Sequence, residues 1–101
     1  MSVDLTGVKQ FPHIRAVSAT TNNTQVILPP RTKVVTVGTK TGECVFAYEG
    51  VDNGTPSNNA AFVANYGYVA TKYGRGKDRP TSLYVAMANG TGTIIIILED
   101  E

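Results

Sequence analysis

Thr93-Ile94-Ile95-Ile96-Ile97-Leu98-Glu99 is the stretch on which the fold turns. Its core is five consecutive aliphatic residues, four of them β-branched. Such side chains pack well on a pleated strand and lose rotamer freedom in a helix. The run is far too short for a membrane helix, which needs about 18–20 apolar residues. A strand on a half-solvated sheet carries polar residues at every second position, and here no interior position is polar. Both faces of this strand are therefore expected to be covered by a second sheet, a loop or a neighbouring subunit. Burial within the chain and burial against a neighbour are both open at this point. Left bare, the segment would promote aggregation, and Glu99-Asp100-Glu101 follows it as an acidic gatekeeper.

Working outward, Leu83, Val85 and Met87 alternate with Tyr84, Ala86 and Ala88, the period of a strand over 82–88. The turn residues Asn89-Gly90-Thr91-Gly92 lead from it into the 93–98 strand, and a β-hairpin is expected. Further strands are expected over 14–20, 24–28, 33–38, 43–49 and 66–72. In the first, Ile14, Ala16 and Ser18 share one face and Arg15, Val17 and Ala19 the other. Pro29-Pro30 ends the second, because proline cannot continue a central ladder. The third buries Val35 and Val37 on one side and Val34 on the other, and Thr39-Lys40-Thr41-Gly42 reads as a hairpin-like turn. In the fourth, Cys44, Phe46 and Tyr48 oppose Val45 and Ala47. Residues 60–64 fit a short helical turn as well as a strand. The polar segments 50–59 and 73–80 are long loops. The sum is an all-β chain: a single antiparallel β-sandwich, jelly-roll-like in one form, with about seven or eight short strands. Residues 1–12 are expected to form an N-terminal arm and residues 13–101 the single sandwich domain.

Length and composition bound the function. At 101 residues there is room for one core only. One cysteine, Cys44, allows no intrachain disulfide, and one histidine, His13, allows no multi-histidine metal site. The start of the chain has neither the basic residues nor the apolar run of a signal peptide, so synthesis inside the cell is expected. A net charge of +1 gives no general attraction to nucleic acid or a membrane surface. Tryptophan is absent and aromatic residues make up 8%, which weakens the case for a stacking platform.

Catalytic constellations are not legible, and the chain is expected to be no enzyme, with no catalytic, cofactor or metal residues. His13 follows Pro12 at the start of a strand, as a structural or surface residue would. Cys44 is in phase with Phe46 and Tyr48 and reads as an inert buried thiol. Glu43 and Glu49 flank one strand, but roughly 20 Å of extended chain separates them, too far for paired acid–base work. The acidic residues 99–101 read as a solvated chain end. Gly74-Arg75-Gly76-Lys77 lacks the upstream glycine of a phosphate loop and is followed by Asp78 where Ser or Thr belongs. Gly90 and Gly92 precede a strand, so no helix N-terminus is offered to an anion. Lys72, Arg75, Lys77 and Arg79, near Tyr66, Tyr68 and Tyr73, form a basic cluster. Asp78 within it and the nearly neutral chain favour a solvated loop or salt bridges to a neighbour over nucleic acid. Tyr48, Tyr66, Asn58 and Asn65 are the residues a glycan site would use.

The segment Thr81-Ser82-Leu83-Tyr84-Val85-Ala86-Met87-Ala88-Asn89-Gly90-Thr91-Gly92-Thr93-Ile94-Ile95-Ile96-Ile97-Leu98-Glu99 resembles the C-terminal hairpin of small structural proteins of tailed bacteriophages. The stretch 23–48, with its polar turn, Leu28-Pro29-Pro30 bend and Thr/Val strand, is similar to their preceding strands. Together these cover a little under half of the chain. The resemblance implies a non-enzymatic virion component, made in the host cytoplasm: a capsid decoration or cement protein, or a tail or adaptor subunit with a glycan- or receptor-binding role. It implies a homo-oligomer that contacts other virion proteins. The arm 1–12 and the loops 50–59 and 73–80 are then the candidate contacts.

Overall fold

The computed structural model describes residues 2–48, 61–63, 67–72 and 82–100. Nine strands form among them. They are β1 (Ser2–Asp4), β2 (His13–Ala19), β3 (Thr24–Ile27), β4 (Val34–Thr39), β5 (Cys44–Ala47), β6 (Ala61–Val63), β7 (Tyr68–Lys72), β8 (Ser82–Met87) and β9 (Gly92–Glu99). One sheet has the order β1-β3-β8-β5-β6 and the other β2-β9-β4-β7. Without β1, the eight remaining strands divide four and four between the sheets. Only β5 and β6 are neighbours both in sequence and within a sheet; every other connection from β2 onward crosses the sandwich. This interleaving is the jelly-roll order. The fold is all-β, as the alternation implied, and the ambiguous 60–64 stretch contains a strand.

Two expectations are corrected. Strands β8 and β9 do not form a hairpin. The chain crosses from one sheet to the other through Asn89-Gly90-Thr91, because both edges of β9 are already taken by β2 and β4. Likewise Thr39-Lys40-Thr41-Gly42 is a crossing between sheets and not a hairpin turn, since β4 and β5 belong to different sheets. The Thr39 hydroxyl shapes this bend by donating toward the carbonyls of Thr41 and Gly42, each at 3.1 Å. Gly42 (φ 76°) and Gly90 (φ 64°) supply the left-handed backbone that the two crossings need. Over 13–101 every described strand pairing is antiparallel, as expected, and β1, from the first twelve residues, adds to β3 in parallel.

Residues following β1 hold it to the body. The Leu5 amide donates to the Ile27 carbonyl at 2.9 Å, and the Leu5 side chain enters the core. Asp4 accepts from the Thr6 amide (2.9 Å) and the Thr6 hydroxyl (2.6 Å), which turns the chain away from the sheet. Farther on, the Arg31 guanidinium lies 5.7 Å from the Phe11 ring centroid and pairs with Asp100 at 2.6 Å.

Position β9 in the sheet explains the Ile94–Leu98 run. Ile94, Ile96 and Leu98 face inward and are fully buried, as are Val35 and Val37 from β4 beside them. Opposite, Val26, Leu83, Val85, Met87 and Phe46 complete the core. The buried side chains remove their apolar surface from water at roughly 25 cal/mol per Å². A side-chain link joins the two sheets. Thr71 donates to the Val35 carbonyl (3.2 Å), so its oxygen accepts the proton of the Tyr48 hydroxyl (2.6 Å).

Candidate interaction face

The other half of the isoleucine run faces away from the core. Register places these residues in straight rows across the four-stranded sheet. Ile14 on β2 lies opposite Ile97 on β9, Ile97 opposite Thr36 on β4, and Thr36 opposite Ala70 on β7. The next row is Ala16, Ile95, Gly38 and Tyr68 in the same strand order. Ile14 is 64% exposed and Tyr68 55%, while Ile95 and Ile97 are half-buried. These two rows contain no charged residue. Among the described side chains, charge stands at the end of the sheet, where Glu99 lies beside Val34 in register, and on exposed Lys40 beyond β4.

Gly38 is what lets the tyrosine lie down. A Cβ at this position would fall inside the Tyr68 ring, so the ring occupies the space a side chain would fill. This is the pairing of a strand glycine with a cross-strand aromatic residue. Gly38 itself is buried beneath it. The face therefore has a profile. Columns β2 and β9 carry three bulky isoleucines, and columns β4 and β7 are low except where Tyr68 stands.

The residues singled out from sequence are not gathered into one site. His13 is half-buried at the first position of β2, with Nε2 buried and lacking a hydrogen-bond partner among the described residues. Cys44 is in the core, where burial pushes its thiol up to about 11. Its thiolate is scarce at neutral pH, so nucleophilic chemistry has little support there. Tyr48 is occupied with Thr71, and burial, its larger influence, raises its phenol above the usual range against that hydrogen bond. Glu43 is exposed beside β5. Lys72 ends β7. The rest of the basic cluster (Arg75, Lys77, Arg79, with Asp78), together with Tyr66, Tyr73, Asn58, Asn65, Glu49, Asp52 and the loops 50–59 and 73–80, lies outside the described residues. Among the described residues no group of three or more His, Cys, Asp or Glu is placed to hold a metal ion.

Sequence reasoning missed the face because its members are far apart in the chain. Ile14 was visible as one of three alternating residues, and Ile95 and Ile97 as the second phase of the run. Nothing local joins them to Tyr68. Only the order β2-β9-β4-β7 does so. No family model, curated protein or solved structure matches the chain.

Proposed function

We propose that this chain is a non-enzymatic structural subunit of a multi-subunit assembly, a bacteriophage virion component of the capsid decoration type. The observation that carries this reading is the uncharged apolar face of the four-stranded sheet, with Ile14 64% and Tyr68 55% exposed. Contiguous apolar surface on an otherwise closed sandwich costs solubility unless a partner covers it. The jelly roll adds support by analogy, since virus capsid subunits recur on it; lectins do too, so the fold alone decides nothing.

A second reading, a tail or adaptor component that binds a glycan, is favoured by one observation. The Tyr68 ring lies flat on the sheet over Gly38, the posture in which an aromatic side chain receives a sugar ring. Immunogold labelling of purified particles with an antibody to this chain tests the first reading. Regular label on heads supports the decoration role, and label on tails shifts weight to the second. Label confined to the unassembled fraction contradicts both.

A further inference from the structure

We propose that residues 2–11 form a strap that opens as one unit while the sandwich behind it stays folded, and that Arg31 is its latch. This goes beyond the virion reading and does not depend on it. The strap begins as β1, at the outer position of one sheet, and leads into β2, at the outer position of the other. Between these strands the chain crosses the side of the sandwich. Val3, Leu5, Val8 and Phe11 pack against the core, and Leu5, 3% exposed, is the deepest of the four. The residues between these anchors are exposed. Two features separate the strap from the body. Among the described strands β1 has one neighbour, meets it at three register positions and runs parallel to it. Parallel pairing is slightly weaker per residue than antiparallel. Topology is the second feature, for without β1 the other ladders are complete, β3-β8-β5-β6 in one sheet and β2-β9-β4-β7 in the other. β2 keeps seven register pairs with β9, so the strap can leave without loosening the strand that it leads into.

A segment with one short ladder and few deeply buried side chains opens at lower free energy than the core. Opening makes β3 the edge of its sheet and frees the Ile27 carbonyl that the Leu5 amide engages. An uncovered edge is a template for another strand, so the closed strap blocks pairing at β3. Arg31 fastens the strap at its far end. Its guanidinium lies over the ring of Phe11, the last anchor, and its Nη2 donates to the Asp100 carboxylate just beyond β9. One side chain therefore ties the strap to the residue that follows the central strand of the other sheet. Asp100 holds the guanidinium in place, and the ring receives its cationic face. Both partners meet water, with side-chain exposures of 68% at Arg31 and 28% at Asp100. The latch is accordingly light, and salt screens it.

Native-state hydrogen exchange of the full chain, followed by NMR at low denaturant concentrations, tests this. The Leu5 and Val8 amides donate to the Ile27 and Leu5 carbonyls. Both are expected to exchange through one shared opening, protected at least about tenfold less than the amides of β9 and with a small denaturant slope. Arg31→Ala speeds their exchange about two- to fivefold, with far-UV circular dichroism showing that the variant is folded. Raising NaCl from about 0.02 M to about 0.5 M moves the wild type toward the variant and leaves the variant as it is. Leu5 and Val8 amides with the protection and denaturant slope of β9 overturn the strap, since they then open only when the whole chain unfolds. Unchanged exchange in Arg31→Ala, or an equal salt response in both proteins, overturns the latch. Each of these results leaves the particle-labelling outcome standing, so failure here and failure of the virion reading are separable.

Discussion

The two sheets turn different backs to the outside. On the five-stranded sheet, Val45, Ala47 and Ala86 alternate with core residues and so point away from the interior, yet their exposures are only 2%, 2% and 0%. On the four-stranded sheet, Ile14 and Tyr68 point outward in the same sense and are left open. Apolar residues on the back of a sheet are thus covered within the chain in one case and not in the other. A covered back stabilises the protomer; an open one contributes little until a partner arrives. The difference puts apolar surface that stabilises the protomer on one back and apolar surface left open to solvent on the other.

The sharpest way to break this division lies within the isoleucine run itself. Ile96→Ala removes a fully buried side chain between the sheets and is expected to cost about 2–5 kcal/mol, whereas Ile97→Ala, one residue on, costs about 1 kcal/mol or less. Urea unfolding of the two variants at low micromolar concentration reads this directly, and equal losses would erase the distinction between the faces. Next in size is the same change made on both backs. Val45→Thr places a hydroxyl in a dry site and costs about 1–3 kcal/mol, while Ile14→Thr changes stability by about 0.5 kcal/mol or less.

A smaller effect sharpens the account of Tyr68. Gly38→Ala destabilises the protein by about 1 kcal/mol because the new methyl evicts the ring. In a Tyr68→Ala background the same substitution stabilises by about 0.5 kcal/mol, since alanine suits a strand better than glycine. A double-mutant cycle without that change of sign would mean that the ring does not rest on Gly38. The smallest effect concerns Cys44. Its thiol titrates near 11 when folded against an ordinary 9.0, so the neutral form favours the native state. This contribution is whole below about pH 8 and declines as pH rises through the window from about 9 to 11. Wild type should therefore lose more stability than Cys44→Ala between pH 8 and 10.5, as measured by denaturant midpoints.

Much of the strand content was legible because it depends on neighbours in sequence. Alternation put Val35 with Val37 and Cys44 with Phe46 on buried faces, and grouped Ile14 with Ala16 on one face of β2 without saying which way that face turns. The Ile94–Leu98 run disclosed a strand apolar on both sides. What alternation cannot carry is sheet membership. Gly90 and Gly92 between two apolar strands look the same whether the chain folds back as a hairpin or crosses a sandwich. The crossing is favoured here because β9 gains ladders on both edges, with β2 and with β4, where an isolated hairpin offers one. The candidate face was illegible for a related reason. Ile14, Gly38, Tyr68 and Ile97 become neighbours only through long-range register. The resemblance to phage structural proteins rested partly on a hairpin that does not form, so its weight now falls on the strands.

The central claim is that the isoleucine run divides between two faces, with Ile94 and Ile96 sealed between the sheets and Ile95 and Ile97 turned outward beside Ile14. The chain has six isoleucines, at 14, 27, 94, 95, 96 and 97, and each δ1 methyl can be followed by NMR in a titration with a soluble paramagnetic agent. The account predicts that Ile14 broadens most, Ile95 and Ile97 less, and Ile94 and Ile96 least. Uniform broadening of all six, or stronger broadening at Ile94 and Ile96 than at Ile14, would contradict it.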